Sequence, residues 1–273
     1  MSTTLEYLRP QTLDEALRLL QRPGLCTLPL AGGVWLTPRL RRDVQVPQPL
    51  SEPADAVVDL ADLGLDGIEL DGEPGDGWLR IGAMTTLSAI VDDPACQQFM
   101  GNGLLVEAAR RSAPLNQRNA ATLAGTLLGA DSASELLLTL LALDTRVTVT
   151  TGTPRTLHLA ELVSGPTHEL AHGLLLHFDV PWPGQDSRSA AARVARTPAD
   201  QPIVAAVAVA QRTRRRIALG GVAEQPLLLD VMDTPLDAAL TGVTVRSDWL
   251  GSAEYRREMG VVLSQRVLAE VDR

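Results

Sequence analysis

Residues 116–151, NQRNAATLAGTLLGADSASELLLTLLALDTRVTVTT, constrain the fold of this chain more than any other stretch. A polar entry leads into a small-residue turn, Thr122-Leu123-Ala124-Gly125-Thr126. A long apolar helix is expected from about Ser134 to Leu143, and a Thr/Val strand closes the unit. A turn, an apolar helix and a strand in direct succession call for helices layered on sheet. A second glycine turn stands earlier, in LPLAGGVWLTPRL (28–40), where Ala31-Gly32-Gly33 follows a short apolar strand. Adjacent glycines free the backbone for positive φ and for close approach to a ligand, as phosphate-cradling loops require. The same pair also serves as a plain tight turn.

The remaining elements alternate. TLDEALRLLQRPG reads as a helix with Thr12 as N-cap, Glu15 at the capping-box position and Pro23-Gly24 as its stop. AVVDLADL is a buried strand, and DGIELDGE with GWLRIGAM forms a hairpin-like pair. TTLSAIVDDPACQQF is expected as one helix capped by Thr85 or Thr86, and NGLLVEAARRSA as another ending before Pro114. Residues 38–56, rich in proline and arginine, read as a loop. GLLLHFDVPWP reads as a strand. RSAAARVARTPADQPIVAAVAVAQRT reads as a turn leading into a small-residue strand or helix. RIALGGVAEQPLLL follows as strand, glycine turn and strand, and SAEYRREMGVVLSQRVLAEVDR is a final amphipathic helix.

Composition excludes several chemistries. The 273 residues are 45% hydrophobic and 21% charged, with a formal net charge of -9. Nucleic acid is a poor partner for such a surface, because phosphate backbones need surplus basic charge. Every basic residue is arginine, so no Schiff-base or Walker lysine exists. Cys26 and Cys96 are the only cysteines, too few for an iron–sulfur cluster or a Cys-rich zinc site, and are expected as buried free thiols. No run reaches membrane-spanning length and the N-terminus lacks targeting character, so a soluble, cytoplasmic protein is expected.

The ordered set RPQTLDEALRLL, LAGGVWLTP, VVDL, LRIGAMTTL, QRNAATLAG and LLLTLLALD resembles the medium, FAD-binding subunit of the molybdenum hydroxylases, the family of the carbon monoxide dehydrogenase and xanthine dehydrogenase flavoproteins. RTPADQPIV, RIALGGVA and SAEYRREMGVVLSQRVL resemble the domain that closes that subunit. The resemblance covers nearly the whole chain. It implies an α+β fold: a two-lobed FAD-binding domain of the vanillyl-alcohol-oxidase (PCMH) type, with lobes about 1–52 and 53–162, and a C-terminal α+β flavoprotein domain, 163–273. It implies an FAD-dependent oxidoreductase subunit that passes electrons from the iron–sulfur clusters of a partner to FAD and on to an external acceptor. An iron–sulfur subunit and a molybdenum-cofactor subunit are the implied partners in a hetero-oligomer. The cofactor-facing residues carried over are Ala31, Gly32, Gly33, Val34, Trp35, Thr85, Thr122, Ala124, Gly125, Thr126 and Glu135; no catalytic side chain and no metal ligand is assigned.

Departures accompany the match. Val34 and Trp35 stand where the family carries a polar pair. In the second loop the family pattern Thr-Ile-Gly-Gly-Asn has Ala124 for its first glycine and Thr126 for its asparagine. The family's aspartate at the start of the long helix is Glu135, and an aromatic residue before the C-terminal Arg-Thr is alanine or arginine. Each polar hydrogen bond is worth roughly 1–3 kcal/mol, so several losses weaken FAD binding by orders of magnitude. A flavin-free structural or assembly subunit that kept the fold is therefore the alternative, in which Trp35 fills the place of the dinucleotide. Three other features have ordinary readings. His168, His172 and His177 lack a metal motif and read as solvated residues, Glu135 suits a helix first turn by the dipole alone, and the arginines of 212–216 read as a hairpin tip or a contact for an acidic partner.

Overall fold

A computed structural model describes residues 5–40, 53–99, 103–165, 173–211, 214–231 and 240–273. The capping signal at Thr12 sets helix α1 (Leu13–Leu20): the threonine hydroxyl accepts from the Glu15 amide at 3.2 Å. The Glu15 carboxylate in turn accepts from the Gln11 amide at 3.0 Å, one residue before the cap. The apolar face of α1 (Ala16, Leu17 and Leu20) packs with Val58, Leu60 and Leu174 in a small core. The helix is the crossover between two strands of a parallel sheet, β1 (Glu6–Leu8) and β2 (Thr27–Leu30). Between them lies β3 (Ala56–Asp59), giving the order β1-β3-β2. Since β3 is the central strand of this first sheet, the lobe boundary expected at 52/53 moves beyond Asp59.

A five-stranded antiparallel sheet forms the second lobe from β4 (Ile68–Asp71), β5 (Trp78–Gly82), β6 (Arg146–Thr150), β7 (Pro154–His158) and β8 (Leu174–Pro181), ordered β4-β5-β8-β6-β7. Its helices are α3 (Leu87–Asp92), α4 (Pro94–Gln98), α5 (Leu104–Ser112), α6 (Leu115–Arg118), α7 (Leu123–Leu128), α8 (Glu135–Ala142) and α9 (Leu159–Ser164), with α2 (Leu36–Leu40) preceding them in the first lobe. The helix expected across TTLSAIVDDPACQQF is two helices. Pro94 disfavours helical geometry at Asp93, and Asp93 ends α3 while its carboxylate caps the amides of Ala95 and Cys96 at 2.8 and 3.0 Å.

The domain boundary expected after residue 162 also moves. Leu174–Pro181 would then belong to the C-terminal unit, yet β8 is the middle strand of the second-lobe sheet, bonded to β5 on one side and β6 on the other. The C-terminal unit starts after Pro181. It is a four-stranded antiparallel sheet of β9 (Arg188–Val194), β10 (Val204–Gln211), β11 (Arg214–Gly220) and β12 (Leu227–Asp230), ordered β12-β11-β10-β9, with helix α10 (Ala253–Val271) on one face. RSAAARV, expected as a turn, is strand β9. The small-residue segment is a strand buried on both faces. Ala205, Val207 and Val209 join the main core with α8, whereas Val204, Ala206 and Ala208 join a second core with α10. Period two divides one strand between two cores. Among the described residues, no helix is long and apolar enough to cross a membrane.

Candidate functional site

The strand β2 delivers the chain into Ala31-Gly32-Gly33, and α2 begins three residues later with the Thr37 amide bonded to the Gly33 carbonyl at 2.9 Å. Gly33 holds φ +71, and a Cβ on it would stand 2.7 Å from Thr37 Oγ1. Gly32 is glycine for another reason, since its φ is not left-handed. A Cβ there would lie 1.5 Å from the Ala120 carbonyl oxygen. The first loop thus rests directly on the backbone that enters the second. Among the described residues, the amides of Gly32, Gly33, Val34 and Trp35 donate to no protein acceptor. Four adjacent unpartnered N–H groups suit an anionic, acceptor-rich ligand.

Val34 turns its side chain onto the main core. Trp35 lies flat between two partners. The Arg39 guanidinium stacks 3.7 Å from its ring, while Gly129 leaves room beneath: a Cβ on Gly129 would be 2.2 Å from the indole. Arg39 also donates to the Trp35 carbonyl at 2.6 Å. The indole nitrogen is buried without a hydrogen-bond partner. Trp35 therefore ties the first lobe to the end of α7.

The second loop is the N-terminus of α7, and its amides are engaged within the protein. Leu123 donates to Thr85 O at 2.9 Å, Ala124 to Ala83 O at 3.0 Å, Gly125 to Thr122 Oγ1 at 3.2 Å and Thr126 to Thr122 O at 2.9 Å. Thr122 is a buried N-cap. Thr85 is buried too; its hydroxyl donates to Gly67 O at 2.9 Å and accepts from Gly67 N at 3.0 Å, so its bonding pins the start of β4. Ala31 and Gly125 do face each other across the loops, with a Cβ on Gly125 reaching 3.7 Å from Ala31 Cβ.

Both loops open on one cavity of about 540 Å³, lined by Pro29 and Ala31, by Ala124, Gly125 and Leu127, by Leu159, Leu174 and Phe178, and by Glu224, Gln225 and Pro226 of the C-terminal unit. Its walls are mostly aliphatic, the setting for a planar, largely apolar ring system. The residues present therefore fit FAD in two respects: an apolar chamber for the ring and free amides in the first loop for the pyrophosphate. The second loop contributes close approach but no free amide between Leu123 and Thr126.

Glu135 stands apart from this cavity. Its buried carboxylate pairs with Arg111 at 3.2 Å and with Arg193 at 2.8 Å, which engages it in joining α8, α5 and β9. Arg193 donates in addition to Asp200 O. The described arginines of the 212–216 segment are likewise engaged inside the chain: Arg214 with Asp230 and Asp144, Arg215 with Asp272, Arg216 with Asp144. His168 and His172 lie outside the described residues. His177 stands 3.6 Å from Asp179, and burial, with Arg80 nearby, holds its pKa below the ordinary histidine value against the pull of Asp179. No group of three or more potential metal ligands occurs among the described residues. Cys26 and Cys96 form no disulfide; Cys96 is buried as expected, whereas Cys26 is only half-buried. Burial, with Asp93 alongside, pushes the Cys96 thiol up to about 12. The cavity's C-terminal edge, Glu224–Pro226, was not singled out in the sequence, where the segment reads only as a glycine turn.

Comparison with known proteins accords with this geometry. Residues 3–183 match the family model described as the FAD binding domain in molybdopterin dehydrogenase. The chain is 28% identical to the nicotine 6-hydroxylase medium subunit of Paenarthrobacter nicotinovorans, over 97% of this chain and 96% of that one. It is 29% identical to the uncharacterized protein YgfM of Escherichia coli K12, over 97% and 95% of the two chains. Its fold is similar to a chain of carbon monoxide dehydrogenase from Hydrogenophaga pseudoflava, in a form lacking the Mo-pyranopterin moiety of the molybdenum cofactor; the TM-score is 0.83 at 22% identity, covering 99% of this chain and 98% of that one. The family match spans well over half the chain and ends two residues beyond β8. This chain belongs to the family of FAD-binding domains of molybdopterin dehydrogenases.

Proposed function

We propose that the chain is the FAD-binding medium subunit of a molybdenum hydroxylase-type oxidoreductase, held in a hetero-oligomer with an iron–sulfur subunit and a molybdenum-cofactor subunit. The observation that carries this reading is that Ala31 of the first loop and Ala124 and Gly125 of the second line a single apolar cavity, while the next four amides of the first loop, Gly32–Trp35, have no acceptor among the described residues. End-to-end similarity to a relative named as a medium subunit supports it. FAD, when bound, supplies the redox centre that takes electrons from the partner's clusters and gives them to an external acceptor. The protein's part is to hold and orient. The Gly32–Trp35 amides fix the pyrophosphate, Ala31 and Gly125 let the backbone come close, and Leu127, Leu159 and Phe178 keep water from the ring. Purified protein is expected to be yellow and to release about one FAD per chain on denaturation. Colourless protein that takes up no FAD when soaked in it overturns the proposal.

One observation favours a second reading, that of a flavin-free structural or assembly subunit. Every amide from Leu123 to Thr126 is engaged inside the protein. On this reading the chain joins its partner subunits with an affinity that added FAD leaves unchanged, and FAD raises no melting temperature. A ligand that binds only the native state must raise it by mass action, so a thermal-shift titration separates the two readings.

A further inference from the structure

We propose that Glu224 sets the class of electron acceptor that this subunit serves, disfavouring anionic acceptors and admitting neutral or cationic ones; this rests on the flavin reading above. The turn that carries Glu224 is fixed. A Cβ on Gly220 would stand 2.0 Å from Ser132 O, and one on Gly221, at φ +79, would stand 2.1 Å from Ile203 O. Ser132 Oγ donates to Ala223 O at 3.1 Å, and the Arg246 amide donates to Val222 O at 2.8 Å. The residue after this clamp is Glu224, exposed at the edge of the cavity.

Three other carboxylates along the seam between the two domains are each paired with an arginine. Asp131 pairs with Arg246 at 2.7 Å, Glu135 with Arg193 at 2.8 Å and Asp144 with Arg216 at 2.7 Å. Glu224 has no ion pair or hydrogen bond among the described residues, and it is the one ionisable side chain among the described residues that line the cavity. An unpaired charge beside low-dielectric aliphatic walls projects its field into the opening. A molecule arriving there to collect electrons meets that carboxylate. An acceptor with a pyrophosphate, such as a nicotinamide dinucleotide, is repelled, and a quinone or a cationic dye is not.

The test uses the full chain loaded with FAD, reduced anaerobically with one equivalent of dithionite, which gives the flavin two electrons and leaves as two bisulfite ions, and mixed with one acceptor at a time while flavin absorbance is followed. Each reduced flavin gives two electrons to two ferricyanide ions, forming two ferrocyanide ions, and its protons go to buffer. A neutral quinone takes two electrons and two protons from one flavin. The third probe, the cationic N-methylphenazinium, takes two electrons and one proton from one flavin, whose second proton goes to buffer. Glu224→Arg changes the local charge by two. At about 10 Å in water, the ferricyanide rate should rise about twentyfold at roughly 10 mM salt and about fivefold at roughly 0.1 M. The phenazinium rate should fall about threefold at the lower salt and the quinone rate should hold. Glu224→Gln should shift the ionic acceptors in the same directions by about the square root of those factors. Unchanged rates in both variants, or equal changes for all three acceptors, overturn the proposal; equal FAD content and melting temperature among the proteins exclude a folding effect. If wild-type protein takes up no FAD, the flavin reading fails first and the acceptor assignment falls with it.

Discussion

Gly32 and Gly33 are neighbours that are glycine for different reasons, and substitution separates them. At Gly32 an added methyl meets the Ala120 carbonyl at 1.5 Å, a contact that only a shift of backbone relieves. Gly32→Ala should cost more than about 4 kcal/mol and break the seating of the first loop on the second. At Gly33 the obstacle is a left-handed φ, worth roughly 1–2 kcal/mol, and the movable hydroxyl of Thr37. Gly33→Ala should fold, with a melting temperature several degrees below wild type by differential scanning fluorimetry. Equal melting temperatures for the two variants would show that the loops do not touch as described. The glycine pair was legible in the sequence, but its cause was not. Local pattern suggests freedom in φ for both residues, and the neighbour that forbids a side chain at Gly32 comes from another lobe. Trp35 was legible in the same partial way. Its closeness to the glycines is a matter of spacing, whereas Gly129 beneath its ring and Arg39 above it are facts of tertiary packing.

Helix α8 is the element on which the molecule is assembled. All eight of its residues are buried, with α5 and the C-terminal strands β10 and β11 among its neighbours. Both of its ends are held by arginines of the C-terminal unit, Arg193 and Arg246 at the N-terminal end and Arg214 and Arg216 at Asp144. Asp144 takes φ 62, which a short polar side chain tolerates just past a helix end. Burial pushes its carboxyl up, but the hydrogen bond from Arg216 and the charges of Arg216, His158 and Arg214 outweigh burial, leaving its pKa below the ordinary aspartate value. A depressed carboxylate pKa stabilises the fold fully above the unfolded value of about 4, and the benefit disappears as pH falls through the lower, folded value. The melting temperature should therefore hold between pH 7 and 5 on this account and drop below about pH 4. Asp144→Asn, which keeps the left-handed backbone, should melt lower at pH 7 and lose less on acidification. A parallel acid drop in both proteins would sink this assignment. The apolar character of α8 was plain in its leucines. Strand β10 was less so, because alanines and valines buried on both faces erase the alternation that marks an ordinary strand.

At the scale of the whole molecule, the order of elements in the chain and their order in space diverge at β8. The boundary expected from the sequence falls after residue 162, yet the strand that completes the second-lobe sheet arrives at 174–181, after α9 and just before the C-terminal unit. Pairing partners far apart in the chain leave no local trace: the β4–β5 hairpin and the strand β6 could be read, whereas β7 and the insertion of β8 between these elements could not. The consequence is sharp. A fragment ending at residue 164 lacks β8, so β5 loses its bonds from Trp78–Gly82 and β6 loses its bonds from Arg146–Thr150. Phe178 and Val180, both wholly buried, are removed from the main core together with Leu175. Burial of each such side chain is worth roughly 1.5–3 kcal/mol, and a sheet divided into two hairpins is marginal in water, so this fragment should not fold. A fragment ending at residue 184 keeps all five strands and both glycine loops. It should show a cooperative thermal transition by circular dichroism, at a lower temperature than the full chain. It should also self-associate, because removal of β10 and β11 bares the face of α8 that they cover. Adding a separate 185–273 fragment should suppress that self-association by recovering the carboxylate–arginine links across the seam. Cooperative folding of the 164-residue fragment would mean that β8 is dispensable to the second lobe and that the domain boundary lies where the sequence alone places it.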